Sequence, residues 1–235
     1  DFFIKTDIKM FWNSLSIVGI SLLINVVVCL LFSYYLYKNF RFSRFYKIIL
    51  FVPSIISATV LAIFFARFED LCLTELAWFP VKDKFVNGGT MNNYPLLILF
   101  AFFTGFGPTV LVYSNAMGGI PKSLIEASDL DGASQVRQFF SVIIPYIWPT
   151  IVSYITISIV AFSSNQIGLY TFFPGGKYVD ANIQNYAFHL FNTMVGERKS
   201  AVNEVSAAGL LLTAVVAPVS IILNNVLTKY GPNDK

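Results

Sequence analysis

The stretch PKSLIEASDLDGASQVRQFFSVIIP, Pro121 to Pro145, lies between two apolar runs and decides how the chain is read. Proline suits the first position of a helix, where its missing N–H would be unbonded anyway, so a helix is expected to open at Pro121. Gly132 can close that helix in a left-handed turn, a conformation glycine adopts without a Cβ penalty. Beyond it, Val136, Phe139, Phe140, Ile143 and Ile144 fall at i, i+3, i+4, i+7 and i+8, one apolar face of a second helix. Pro145 is expected to open the next apolar span. A short helix, a glycine corner and a second helix, set in a loop between membrane spans, have the form of a docking element.

The rest of the chain supplies the membrane. Hydrophobic residues make up 56% of the 235 positions and charged residues 12%, against about 25% charged in an average soluble domain. Five apolar spans are read at about 12–37, 45–67, 94–118, 146–167 and 203–228, each near the ~20 residues that cross a bilayer as a helix. The fold class is therefore all-α: a polytopic transmembrane helical bundle carrying a cytoplasmic docking loop. Residues 1–235 form a single transmembrane domain. Lys38, Arg41, Arg44 and Lys47 crowd the loop after the first span, and the positive-inside rule places that loop in the cytoplasm. Alternation then puts 68–93 outside, Pro121–Pro145 inside, 168–202 outside and the tail inside. It also leaves the first ten residues outside, so at least one further span is expected upstream.

Several function classes are excluded. The net charge of +3 is dispersed and does not suit nucleic acid. One histidine and two separated cysteines offer no metal-ligand spacing and no disulfide. No GxxxxGK[ST] phosphate loop occurs, and Gly175-Gly176-Lys177-Tyr178 is not one. If ATP drives this protein, another polypeptide must handle it.

Glu126-Ala127-Ser128, three residues, Gly132, nine residues and Val142-Ile143-Ile144-Pro145 resemble the EAA signature of bacterial ABC importer permeases. Ile120-Pro121, Leu124 and Leu130-Asp131-Gly132-Ala133-Ser134 extend the likeness to the carbohydrate branch, the permeases similar to those for maltose. Ser128 stands where the signature has a second alanine, and Val142 and Ile144 replace its isoleucine and leucine. All three keep size or apolarity. The resemblance implies a multi-pass subunit of the bacterial cytoplasmic membrane with no catalysis of its own. Its implied partners are a second permease, two ATPase subunits holding ATP and Mg, an extracellular solute-binding protein, a carbohydrate substrate and membrane lipid. No cofactor is implied for this chain.

By that resemblance Glu126 is the carboxylate that meets basic groups in a cleft of the ATPase. A solvated helix carboxylate is the plain alternative. Ala127, Ser128 and Gly132 belong to the same docking loop, Gly132 setting the angle between its helices. Leu124 and Leu130 either face the ATPase or pack on the second loop helix. Asp129 and Asp131 read as solvated or helix-capping. The substrate path is expected near mid-membrane on the spans flanking the loop. Thr104, Gly105, Tyr154 and Ser158 lie near the middle of those spans, with Phe162, Asn165 and Gln166 further out. Aromatic faces beside hydroxyls and amides suit a sugar, although Ser, Thr and Gly also serve plain helix packing in membranes. Asn25 reads as an interhelical hydrogen-bonding residue.

The expected function is the permease subunit of an ATP-driven carbohydrate importer, the substrate being an oligosaccharide. The alternatives are a permease of the same kind for a peptide, an amino acid or an oxyanion, and an ion-coupled secondary transporter. The absence of Lys, Arg, Asp or Glu deep in the five spans weighs against the last, which relies on intramembrane ionisable groups.

Overall fold

The computed structural model describes residues 2–68, 94–161, 165, 169–172, 184–196 and 201–232. Among them the chain forms nine helices: α1 Phe2–Tyr37, α2 Ser43–Ile55, α3 Ala58–Phe68, α4 Tyr94–Gly118, α5 Lys122–Leu130, α6 Gln135–Ala161, α7 Leu169–Phe172, α8 Tyr186–Gly196 and α9 Ala201–Tyr230. Four of these, α1, α4, α6 and α9, are long and apolar enough to cross a bilayer singly.

The second expected span is not one helix. It breaks at Ile56, whose backbone is extended (φ −73°, ψ 137°), and α3 restarts from the Ser57 carbonyl, which accepts from Leu61 N–H at 2.9 Å. Pro53 removes a backbone donor one turn before the break and weakens the helix there. The two pieces still make one crossing in series. Tyr46 of α2 meets Tyr35 near the end of α1, the α2 backbone at Leu50 touches Gly107, and Phe65 of α3 stacks on Phe100. As numbers rise along α2 and α3, their α4 partners fall, so the pair runs antiparallel to α4.

The relation of α1 to α4 confirms this count. Cys29 Sγ donates to the Phe106 carbonyl at 3.8 Å and Ser33 Oγ to the Val110 carbonyl at 2.9 Å, both pairs 77 residues apart. A constant offset means parallel helices, and parallel spans require the chain between them to return across the bilayer. Gly107 is what lets α2 approach. A Cβ there would sit inside the van der Waals radius of the Leu50 carbonyl oxygen, the close backbone contact that small residues permit between membrane helices.

Two apolar cores are stacked along the bundle. One gathers Ile17, Leu61, Ala62, Leu97, Phe100, Leu169 and Phe188. The other gathers Cys29, Leu36, Val110, Tyr113, Met117, Phe139, Ile143, Ile147 and Ile151 among its members. Along α1 the two cores bracket Ser21 and Asn25, and along α4 they bracket Thr104 and Gly105. A polar layer is thus held between two apolar plugs. At the outer end, Asn185 caps α8 by accepting from Phe188 N–H at 2.8 Å, and Ser14 of α1 accepts from Tyr186 N–H at 2.7 Å. At the cytoplasmic end, Trp148 Nε1 donates to the Leu227 carbonyl at 2.9 Å, tying α9 to α6.

Candidate functional site: a docking loop beneath a polar cavity

The docking loop is built much as the sequence indicates at its corner. Pro121 takes the N-cap position with extended backbone (ψ 133°), and α5 begins at Lys122, one residue later than expected. Gly132 follows the helix in the left-handed region at φ +69°. Its N–H donates to the Asp129 carbonyl at 3.0 Å, and Ala133 N–H reaches back to the Ser128 carbonyl at 3.0 Å. This pair of bonds is the Schellman motif, which satisfies the last helical carbonyls. Ser134 then caps α6, its Oγ accepting from Arg137 N–H at 3.3 Å.

Beyond this cap the expected stripe holds only in part: Phe139 and Ile143 are buried and Ile144 packs beside them, but Val136 and Phe140 are not. α6 passes unbroken from the loop into the membrane through a π-helical turn, Phe139–Ile143, so Pro145 lies within a helix instead of opening one. A π turn inserts one residue into the helical period. It also sits where Pro145 has no N–H to give to the preceding turn. The buried positions become Gln138, Phe139, Ile143, Ile147 and Ile151, while Val136 and Phe140 are 68% and 62% exposed.

Glu126 and Ala127 lie on the open face of α5, with Leu124 and Leu130 44% and 89% exposed. Neither leucine is part of the apolar core that α6 helps to build. Ser128 does the opposite: it is buried on the inner face with Gln138. Gln138 Nε2 donates to Ser128 Oγ at 2.6 Å and to Asp129 Oδ1 at 3.1 Å, and Gln138 Oε1 accepts from Lys38 Nζ at 2.8 Å. Ser128 Oγ in turn donates to the Ile125 carbonyl at 2.8 Å. Asp129, expected to be solvated or capping, is therefore part of a network. Sequence reasoning missed Gln138 and gave Lys38 only a topological role. A glutamine beside Arg137 in a loop looks solvated, and only the π turn shows that it faces inward.

The residue at 132 contributes through its backbone alone. No atom lies within 4 Å of where its Cβ would be, so a side chain there meets strain and no clash, roughly 1 kcal/mol or more for a β-branched residue. Gly132→Val is expected to reach the membrane at wild-type abundance but to recover less ATPase on purification. Gly132→Asn is expected to fall between the two. Normal transport by Gly132→Val would remove the corner from the mechanism.

Above the loop, α1, α4 and α6 line an open cavity of about 300 Å³. Thr104 and Gly105 of α4, Tyr154 and Ser158 of α6, and Asn165 just beyond α6 all line it, five expected path residues brought together. Phe162 and Gln166 lie outside the described residues. α1 adds Ser21 and Asn25, a wall the sequence reading did not assign. Among the described residues Asn25 makes no side-chain hydrogen bond to another helix, contrary to expectation. Its Nδ2 donates to the Ser21 carbonyl one turn back at 3.0 Å, and its Oδ1 accepts from Cys29 Sγ at 3.6 Å.

The hydroxyls are arranged as acceptors. Thr104 Oγ1 donates to the Phe100 and Ala101 carbonyls at 3.1 Å each, and Ser158 Oγ to the Tyr154 carbonyl at 2.9 Å. Each proton is held by its own helix, which leaves oxygen lone pairs available to a donor in the cavity. None of the described lining residues is Lys, Arg, Asp or Glu. Such a wall receives a neutral, hydroxyl-rich solute without burying an unpaired charge.

The chain is similar to known proteins. The model of the family described as "binding-protein-dependent transport system inner membrane component" matches residues 26–232. The arabinooligosaccharides transport system permease protein AraP of Bacillus subtilis is 30% identical over 223 residues, covering 90% of this chain and 68% of that protein. The sn-glycerol-3-phosphate transport system permease protein UgpA of Yersinia pestis is 26% identical over 168 residues, covering 70% of this chain and 52% of that one. The chain thus spans about two thirds of the first relative's length and about half of the second's. Among solved structures, a bacterial ABC transporter involved in import of the acidic polysaccharide alginate matches with a TM-score of 0.81 at 17% identity, covering 97% of this chain and 80% of that one. The MetNI methionine ABC transporter, in an inward-facing conformation, matches at 0.67 and 16% identity, covering 94% and 95%. These two likenesses show the fold. With the family model matching nearly its whole length, this multi-pass helical chain belongs to the inner membrane components of binding-protein-dependent transport systems.

Proposed function

We propose that the chain is one membrane-spanning half of an ATP-driven oligosaccharide importer in the bacterial cytoplasmic membrane. A second permease completes the path, two ATPase subunits bind ATP and Mg below it, and an extracellular binding protein delivers the sugar. The observation that carries this reading is the uncharged cavity of acceptor hydroxyls and an aromatic ring, set on α4 and α6, the two helices that flank the docking loop. The chain performs no covalent step. Its helices hold two packings of similar energy, and nucleotide-driven movement of α5 selects between them.

A polyol phosphate is the second reading, raised by the sn-glycerol-3-phosphate relative. A phosphate dianion in this cavity would meet no cation among the described lining residues, and that desolvation is costly. The test is uptake by proteoliposomes holding the whole importer, with its binding protein, offered arabinotriose, maltotriose or sn-glycerol 3-phosphate. ATP-dependent uptake of a trisaccharide and not of the phosphate is expected. Uptake of sn-glycerol 3-phosphate alone would overturn the oligosaccharide assignment. Uptake without ATP that collapses with a protonophore would overturn the importer reading.

A further inference from the structure

We propose that Gln138 is a positioning residue that makes α1 move with the docking helix, so that all three walls of the cavity respond to the ATPase. This rests on the importer reading above. Two walls, α4 and α6, adjoin α5 in the chain and follow it through the backbone. The third, α1, is distant in sequence, and its link to the loop is non-covalent. Its shortest polar part is the bond from Lys38 Nζ to Gln138 Oε1 at 2.8 Å, across 100 residues, beside a longer one from the Tyr34 hydroxyl to the Gln135 carbonyl at 3.5 Å.

The geometry of the link is directional. Lys38 directly follows α1, its N–H continuing the last turn by donating to the Tyr34 carbonyl at 3.0 Å. Its ammonium gives to the Gln138 oxygen, the Gln138 amide gives to Ser128 and Asp129, and Ser128 gives to the Ile125 carbonyl. The amide dipole therefore lies with its oxygen toward a cation and its nitrogen toward an anion. Gln138 is only 1% exposed, so its amide is shielded from water although Lys38 is half-buried and Asp129 exposed, and chains of this kind reinforce one another. At its other end, α1 accepts from Tyr186 N–H at Ser14. A displacement of α5 is thereby carried along α1 past Asn25 to the outer helix. Tyr34 also packs its ring on Phe139 at 4.9 Å, an apolar contact beside the polar link.

The test uses Gln138→Glu, nearly isosteric but with a carboxylate facing Asp129, and its combination with Asp129→Asn, which returns a donor opposite that carboxylate. In the whole reconstituted importer with arabinotriose-loaded binding protein, Gln138→Glu is expected to lower uptake per ATP hydrolysed by about tenfold, a usual size for a lost coupling. The double variant is expected to recover most of it. Spin labels at the exposed positions Asn39→Cys and Lys122→Cys, with Cys29 and Cys72 replaced by serine, follow the link directly. Their separation is expected to stay constant between the nucleotide-free and ATP–vanadate states in the wild type and to change in Gln138→Glu. Wild-type coupling in Gln138→Glu, no recovery on adding Asp129→Asn, or a wild-type label separation that shifts with nucleotide would each overturn the proposal. If the wild-type complex hydrolyses ATP but moves no arabinotriose, the substrate assignment fails and the label separation still decides the relay.

Discussion

Glu126→Ala is expected to abolish stimulation of ATP hydrolysis by the loaded binding protein while the chain still inserts and keeps its cavity. Glu126 stands on the open face of α5, whereas the inward face is occupied by Ser128 and the Gln138 amide. Within the chain, removing an exposed carboxylate costs only a few tenths of a kcal/mol. At an interface the same change strands the partner's charge, and truncating one member of a desolvated pair costs about 2 kcal/mol or more, close to a 30-fold loss of association. The measurement is ATPase recovered on affinity purification, together with stimulated hydrolysis. Retention of both at wild-type level would make Glu126 the solvated carboxylate of the plain alternative.

Gly105→Phe is expected to have the opposite signature, with the ATPase bound normally and uptake lost. The Cβ position of Gly105 has the Asn25 amide at 3.7 Å and the Tyr154 hydroxyl at 3.8 Å, ordinary contact distances on the cavity wall. Alanine therefore fits, and its transport is expected to stay within about twofold of wild type, since volume changes of one methyl at an open site are mild. A phenyl ring has nowhere to go but the cavity, and a loss of at least about 100-fold, near 2.7 kcal/mol, is expected. Gly107→Phe is not an equivalent control, because its Cβ would strike the Leu50 backbone and disturb the fold itself. Comparable uptake by Gly105→Phe and Gly105→Ala would move the path elsewhere in the bundle.

Local chemistry made the docking corner legible in the sequence. Gly132 and Ser134 act through φ and a side-chain cap, properties that depend on a few neighbouring residues. That the mid-membrane polar residues would line one cavity was legible for a similar reason, since polar groups deep in apolar spans are few and converge where helices meet. What stayed hidden depends on partners far away in the chain. The break between α2 and α3 follows Pro53 inside a run that, despite Ser54, Ser57 and Thr59, is apolar enough overall to read as one span. The π turn at Phe139–Ile143 leaves composition unchanged and rotates the helix face, which sent Val136 and Phe140 outward and Gln138 inward. The Gly107 contact and the α1 wall of the cavity arise from helix crossings that no local pattern records.

Nucleotide at the docking loop is expected to change which side of the membrane reaches the cavity. Thiol accessibility measures this directly. Ser158→Cys, in the whole importer with Cys29 and Cys72 replaced by serine, would be challenged with a membrane-impermeant maleimide from either face. Labelling is expected to change face between the nucleotide-free and ATP–vanadate states, and Glu126→Ala to abolish the change. Labelling from one face alone in both nucleotide states would contradict it.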